Sequence, residues 1–175
     1  MFEGIKRFMR GLAVKKGRST TPTSILPLKD IHTAVTFIDV EEADSDTCKN
    51  TIQAFYRKYD IRGDVFFFDF RKLDSSELLI TSINTTVLRK DLNWYDRPSR
   101  TNVTAMLDRK PDLFISLIPS DSFPIHYMAA CSDAKFKIGR VQLPGNIFDI
   151  VLEGTEGLSQ IETFKSISEL LTKVQ

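Results

Sequence analysis

The chain has 175 residues, 42% hydrophobic and 27% charged, with a formal net charge of +1. That balance excludes a disordered or fibrous protein and gives no reason to expect a nucleic-acid partner. One domain is expected, burying roughly 70% of the surface that its unfolded chain exposes.

Charge is unevenly spread. Residues 1–18 hold six of the 24 basic residues and one of the 23 acidic ones, leaving 18 basic against 22 acidic residues in the rest. Two cysteines, Cys48 and Cys131, cannot build a disulfide framework. Both fall in apolar helical patterns, the setting of reduced, buried thiols in a cytoplasmic protein. There is no C-x-x-C pair, and the two histidines stand far apart, so no metal and no cofactor is expected. The basic N-terminus lacks an apolar core of the kind a secretory signal needs, and no run approaches the length of a membrane span.

Taken in order, residues 2–14 place Phe2, Ile5, Met9, Leu12 and Ala13 on one helical face, with Arg7 and Arg10 opposite and Lys6 at the flank. Gly4 and Gly11 each cost about 1 kcal/mol relative to alanine, so this helix needs a surface to lean on. That surface is either the rest of the protein or an anionic partner. The Ser/Thr/Pro-rich stretch Lys15–Pro27 reads as a connection. The division is a basic amphipathic helix at 1–18, a linker at 19–29 and one domain at 30–175. A strand at Thr33–Val40, a helix at Thr47–Tyr59 and a bulky apolar strand at Val65–Phe70 form a β-α-β unit.

Residues 71–100 are the least readable: Leu78–Ile83 suits a short strand or a helical turn after Ser75-Ser76-Glu77, Thr85–Leu88 suits a short strand, and Asn93–Pro98 reads as an ordered loop that packs aromatic surface. A short helix at Val103–Leu107 leads to the second unit, Pro111–Val141: strand, polar turn, apolar helix, strand. Phe148–Leu152 reads as a further strand, and Leu158–Lys173 as the clearest helix in the chain. Strands alternating with helices predict an α/β fold: a single Rossmann-like three-layer domain with a mostly parallel sheet.

In such a sheet, ligands bind at the carboxyl ends of the strands. The turn after Val40 lacks glycine and crowds Asp39, Glu41, Glu42, Asp44 and Asp46, so it would repel a phosphate. Asp39 and Glu41 with Asp69 could hold Mg²⁺, but solvated acids and helix caps explain them as well. Asp69-Phe70-Arg71-Lys72 reads as a surface loop. The turn Pro119–Pro124 is ordinary helix-start chemistry. The same groups, Ser120 and Ser122 with free backbone N–H groups, also suit a phosphate or a sugar hydroxyl. His126 falls in the first helical turn, where the dipole favours its neutral form, and Arg140 is a counter-charge candidate. Serine-hydrolase, P-loop and dinucleotide glycine patterns are all absent.

The segment D-L-F-I-S-L-I-P-S-D-S-F-P-I-H-Y-M-A-A-C-S-D-A-K-F-K-I-G-R is similar to a small family of uncharacterised bacterial proteins of about this length. The likeness includes D-L-N-W-Y-D-R-P at Asp91–Pro98 and the C-terminal helix, and it implies no activity. More distantly, Asp112–Leu117 and Ala134–Gly139 resemble the N-terminal half of heptosyltransferase-type glycosyltransferases, over about 30 residues. That resemblance implies a Rossmann half-domain; the second domain, which in those enzymes binds the activated sugar, does not fit in this length. The functional expectation is a non-catalytic cytoplasmic binding or scaffold module. It would dock through Lys6, Arg7, Arg10, Lys15 and Lys16 on an acidic protein or an anionic membrane face. The alternative is a phosphometabolite or nucleotide-sugar binder that uses Ser120, Ser122, His126 and Arg140.

Overall fold

Strands that are apolar on both sides of the pleat must be covered on both faces. The computed structural model, which describes residues 1–72 and 85–174, provides that cover. An N-terminal helix α1 (Phe2–Gly17) precedes β1 (Thr33–Asp39), α2 (Ser45–Lys58) and β2 (Arg62–Asp69). Then come β3 (Thr86–Leu88), α3 (Arg100–Leu107), β4 (Leu113–Ser116) and α4 (Phe123–Cys131). The chain closes with β5 (Phe136–Gly139), β6 (Ile150–Val151) and α5 (Gln160–Lys173).

The six strands form one sheet in the order β3-β2-β1-β4-β5-β6, and every pairing is parallel. The sheet grows one way from β1 and the other way from β4. Right-handed crossovers running in opposite directions must place their helices on opposite faces. Accordingly α2 and α5 cover one face, where Ile52, Tyr56, Phe164 and Ile167 meet Ile38, Phe67, Ile115 and Ile138. On the other face α3 and α4 bring Val103, Met106, Met128 and Ala129 onto Val35, Phe66, Phe68 and Phe114. Phe37 sits at the centre of that second layer, its ring 4.6 Å from Phe68 and 4.7 Å from Phe114.

The α/β reading and the single three-layer domain hold, and the sheet is wholly parallel among the described residues. Leu78–Ile83, expected as a short strand or a helical turn, lies outside the described residues. β6 is shorter than the expected Phe148–Leu152 because Phe148 turns inward, with its ring stacked 6.4 Å from Phe114. That ring lies against Gly139, where an added Cβ would come within 2.3 Å of it. Helix α5 starts at Gln160, two residues later than expected, because Ser159 and Glu162 cap each other's backbone N–H groups.

The 19–29 segment is a strap rather than a loose tether. The Ser19 and Ser24 amides donate to Ala130 and Lys135 carbonyls (2.9 and 2.8 Å). Ser19 and Thr21 hydroxyls reach Asp133, and the Thr23 hydroxyl reaches Asp149. Helix α1 is thereby held on α4, and Gly17 passes so close to Cys131 that an added Cβ would come within 2.7 Å of its Sγ.

Asp112 ties together the amino ends of three strands. Its carboxylate accepts the His32 and Thr33 amides and the Thr33 hydroxyl (3.0–3.1 Å), and pairs with Lys135 Nζ at 2.7 Å. Burial opposes its charge, but these donors outweigh burial and hold its pKa at about 2. The stabilisation is therefore complete above about pH 4 and is lost as pH falls through about 2. Asp112→Asn should cost about 2 kcal/mol in urea unfolding at pH 7 and flatten the stability profile between pH 4 and 2.

Candidate functional site

In this strand order the ligand crevice of an open α/β sheet lies beyond the carboxyl ends of β1 and β4, where the direction of growth reverses. Among the described residues, Arg140, Glu42 and Gln160 join the strand ends here. Arg140, which follows β5, is 7% exposed. Its guanidinium donates to the Leu117 carbonyl at 3.0 Å, to the Leu158 carbonyl and to the Glu42 carboxylate. The other Glu42 oxygen accepts the Gln160 amide at 2.9 Å, at the N-terminus of α5. An anion is favoured at a helix N-terminus, and a side-chain carboxylate supplies it. Gln160 is fully buried, and its amide group pairs with the Asp39 N–H and C=O, both at 3.1 Å, as a neighbouring strand would.

The β1–α2 turn is acidic and holds no glycine. The left-handed residue in it is Asp44, at φ 63°, where a dinucleotide site would place glycine. Burial, and then the charges of Glu41, Glu42 and Asp69, raise the pKa of Asp39 against the opposing Glu41 amide bond. Asp69 is instead lowered by its two-point contact with Arg71 (2.7 and 2.8 Å). The pair is self-neutralised, and no three His, Cys, Asp or Glu side chains converge to hold a metal ion among the described residues.

Of the residues expected to bind a ligand, Ser120, Ser122 and His126 lie at the start of α4, and Arg140 donates to the Leu117 carbonyl three residues before Ser120. Ser120 is exposed. Ser122 is half-buried, and its Oγ is buried without a hydrogen-bond partner. Burial lowers the pKa of His126, partly opposed by a bond to the Pro144 carbonyl. Arg140 is committed to Glu42, and no side-chain hydrogen bond links it to the other three. The α4 start is itself partly covered, since the Arg10 guanidinium lies 5.1 Å from the centre of the Phe123 ring. Burial pushes the Cys48 thiol up to about 12 and the Cys131 thiol to about 11, so neither is a nucleophile at neutral pH.

A second buried cation, Lys137, faces α4 from β5 and donates to the Ala129 carbonyl at 2.9 Å. It borders a cavity of about 90 Å³ roofed by the Arg18–Thr23 strap. Burial pulls its pKa down to about 8 from 10.5, partly offset by Asp133 and Asp149.

The docking candidates divide sharply. Lys6 and Arg10 point into the protein, where both pair with Asp96 (Lys6 at 2.8 Å) and Arg10 Nε also donates to the Tyr95 carbonyl at 3.1 Å. Burial alone would raise the pKa of Asp96; the two cations more than reverse that. Arg7, Lys15 and Lys16 are exposed. The expected apolar face is split: Met9 and Ala13 turn inward, while Phe2 and Ile5 stay 65% and 49% exposed, and Phe8, outside that face, is 64% exposed. Trp94, 51% exposed, adds its ring 5.7 Å from Phe2. Sequence reasoning missed Phe8 and Trp94 on this face, and Glu42 and Gln160 in the crevice. Only the helical arc shared by Phe8 with Ile5 and Leu12 could have signalled any of them.

These features define an open parallel α/β domain with the strand order of the dinucleotide-binding folds and a buried Arg140 paired with Glu42 at the strand ends. The chain belongs to DUF6913, a family of unknown function, which matches residues 6–172. No curated protein and no solved structure matches it.

Arg140→Met should cost about 3–5 kcal/mol in urea unfolding, because Glu42 is left half-buried without its partner. The double variant with Glu42→Gln should recover part of that loss, and the coupling is read from a double-mutant cycle. The lowered pKa of Lys137 means its charge costs stability below about pH 8, a cost relieved as pH rises towards 10.5. Stability should therefore climb over that window in the native chain and lose this climb in Lys137→Met.

Proposed function

We propose that this protein is a non-catalytic binding module that acts through the outward face of α1 and not through the strand-end crevice. The observation that carries the reading is the orientation of α1. Its inner cations are spent on Asp96, while large apolar side chains point to solvent. Among the described residues six large apolar side chains are exposed, and five of them (Met1, Phe2, Ile5, Phe8 and Trp94) belong to α1 or adjoin it. A contiguous apolar patch of this kind marks an interaction surface rather than ordinary scattered exposure. The strap and the Asp96 pairs hold the patch in a fixed place, so little ordering entropy is lost on docking.

A second reading, a phosphometabolite or nucleotide-sugar binder akin to half of a glycosyltransferase, rests on the strand order and on Ser120, Ser122 and His126. It would require Arg140 to leave Glu42, Leu117 and Leu158. The described helices include none long and apolar enough to cross a membrane, which leaves surface docking as the route to any membrane association.

Phe2→Ser with Phe8→Ser should leave the melting temperature nearly unchanged, because surface substitutions stay within about 0.5 kcal/mol. The same variant should lose most binding of a hydrophobic dye. Nucleotide sugars and sugar phosphates should produce no thermal shift; a shift abolished by Ser120→Ala with Ser122→Ala would replace this reading with the second one.

A further inference from the structure

We infer that the surface met by α1 is an anionic lipid bilayer, on which the domain lies with the helix axis along the membrane plane. The inference rests on the docking reading above and names its partner.

Shape is the first argument. At about 100° per residue, Phe8, Leu12, Ile5, Met9 and Phe2 occupy a continuous arc roughly 120° wide. The outer part of that arc is the convex side of a helix, already backed by α4. A convex row of apolar side chains matches the headgroup–acyl boundary of a bilayer, which needs no complementary groove and admits such a face to about 5–10 Å. Trp94 comes from a separate loop yet meets Phe2, so two segments of the chain present one patch. Tryptophan is the side chain best suited to that boundary, with an apolar body and a polar N–H.

Charge is the second. Lys6 and Arg10 share Asp96 and are partly buried, so the exposed cations of the helix are Arg7, Lys15 and Lys16. By helical position Lys15 and Lys16 flank Leu12, on the same side as Ile5 and Phe8, whereas Glu3, the one acid of α1, falls on the far side. The outward face is thus apolar towards its N-terminal end and cationic towards its C-terminal end. Lipid headgroups bearing phosphate and a net negative charge complement both parts. In a second copy docked face to face, these lysines would meet one another if the helices ran parallel and the apolar end of the partner helix if they ran antiparallel, and neither arrangement gives them a counter-charge. That disfavours self-association.

The chain contains one tryptophan, and it is Trp94, so its emission reports insertion directly. The full-length protein should be mixed with vesicles of phosphatidylcholine alone and with vesicles carrying phosphatidylglycerol, then followed by fluorescence and co-sedimentation. The expected result is a blue shift and sedimentation with the anionic vesicles only, weakened by salt. Lys15→Gln with Lys16→Gln should weaken binding about 30-fold. Phe2→Ser with Phe8→Ser should abolish it without changing the melting temperature. Equal binding to neutral vesicles, or binding that survives both variants, would overturn the proposal. Failure to bind either vesicle would overturn it too, while dye binding lost in Phe2→Ser with Phe8→Ser would leave the docking surface itself standing. A concentration-dependent dimer lost in that variant would assign the face to a second copy instead. Dye binding indifferent to the variant would sink the docking reading as well.

Discussion

A buried guanidinium at the reversal point of the sheet is the constraint on which the architecture turns. Arg140 holds the end of β4 through Leu117, the approach to α5 through Leu158, and the turn after β1 through Glu42. Each acceptor comes from a different part of the chain, so one side chain fastens the two halves of the sheet where their strands diverge. A buried cation survives only when its donors are met and its charge is paired. Glu42 provides the charge, and it in turn satisfies the exposed amide end of α5. This pair lies where related architectures receive a ligand.

That arrangement directs attention away from the crevice. A fold of this order hosts many activities and specifies none, so function must be argued from a site. The carboxylates nearest the strand ends are paired or hydrogen-bonded, and the thiols are buried and protonated. What remains unbalanced is the outer side of α1. Water gains nothing from Phe2, Ile5, Phe8 and Trp94 together, and burying them would be favourable at roughly 25 cal/mol per Å².

The helix is a case of two demands resolved by one turn of the chain. Asp96 sits in a left-handed turn beside α4 and needs cations. Lys6 and Arg10 fulfil that need, and their long apolar stems cover the surface beneath. Once they face inward, the apolar residues half a turn away must face out. The Asp96 pairs and the packing of Met9, Ala13 and Val14 lie on the same side of the helix and together decide which side the solvent sees.

Much of the fold was legible in the order of residues. Apolar runs such as Phe66-Phe67-Phe68 and Leu113–Ile115 mark strands covered on both faces, and their alternation with helical patterns leads to a parallel sheet. The periodicity of Ile161, Phe164, Ile167 and Leu171 places α5 almost to the residue, because a helix buries one face at a local, regular spacing. Strand order, the Arg140–Glu42 pair and the orientation of α1 were not legible. Arg140 and Glu42 are 98 residues apart, as Arg10 and Asp96 are 86 apart, and nothing local in either segment records its partner. Periodicity reports that a face is apolar, whereas only the packed neighbours decide whether that face is covered.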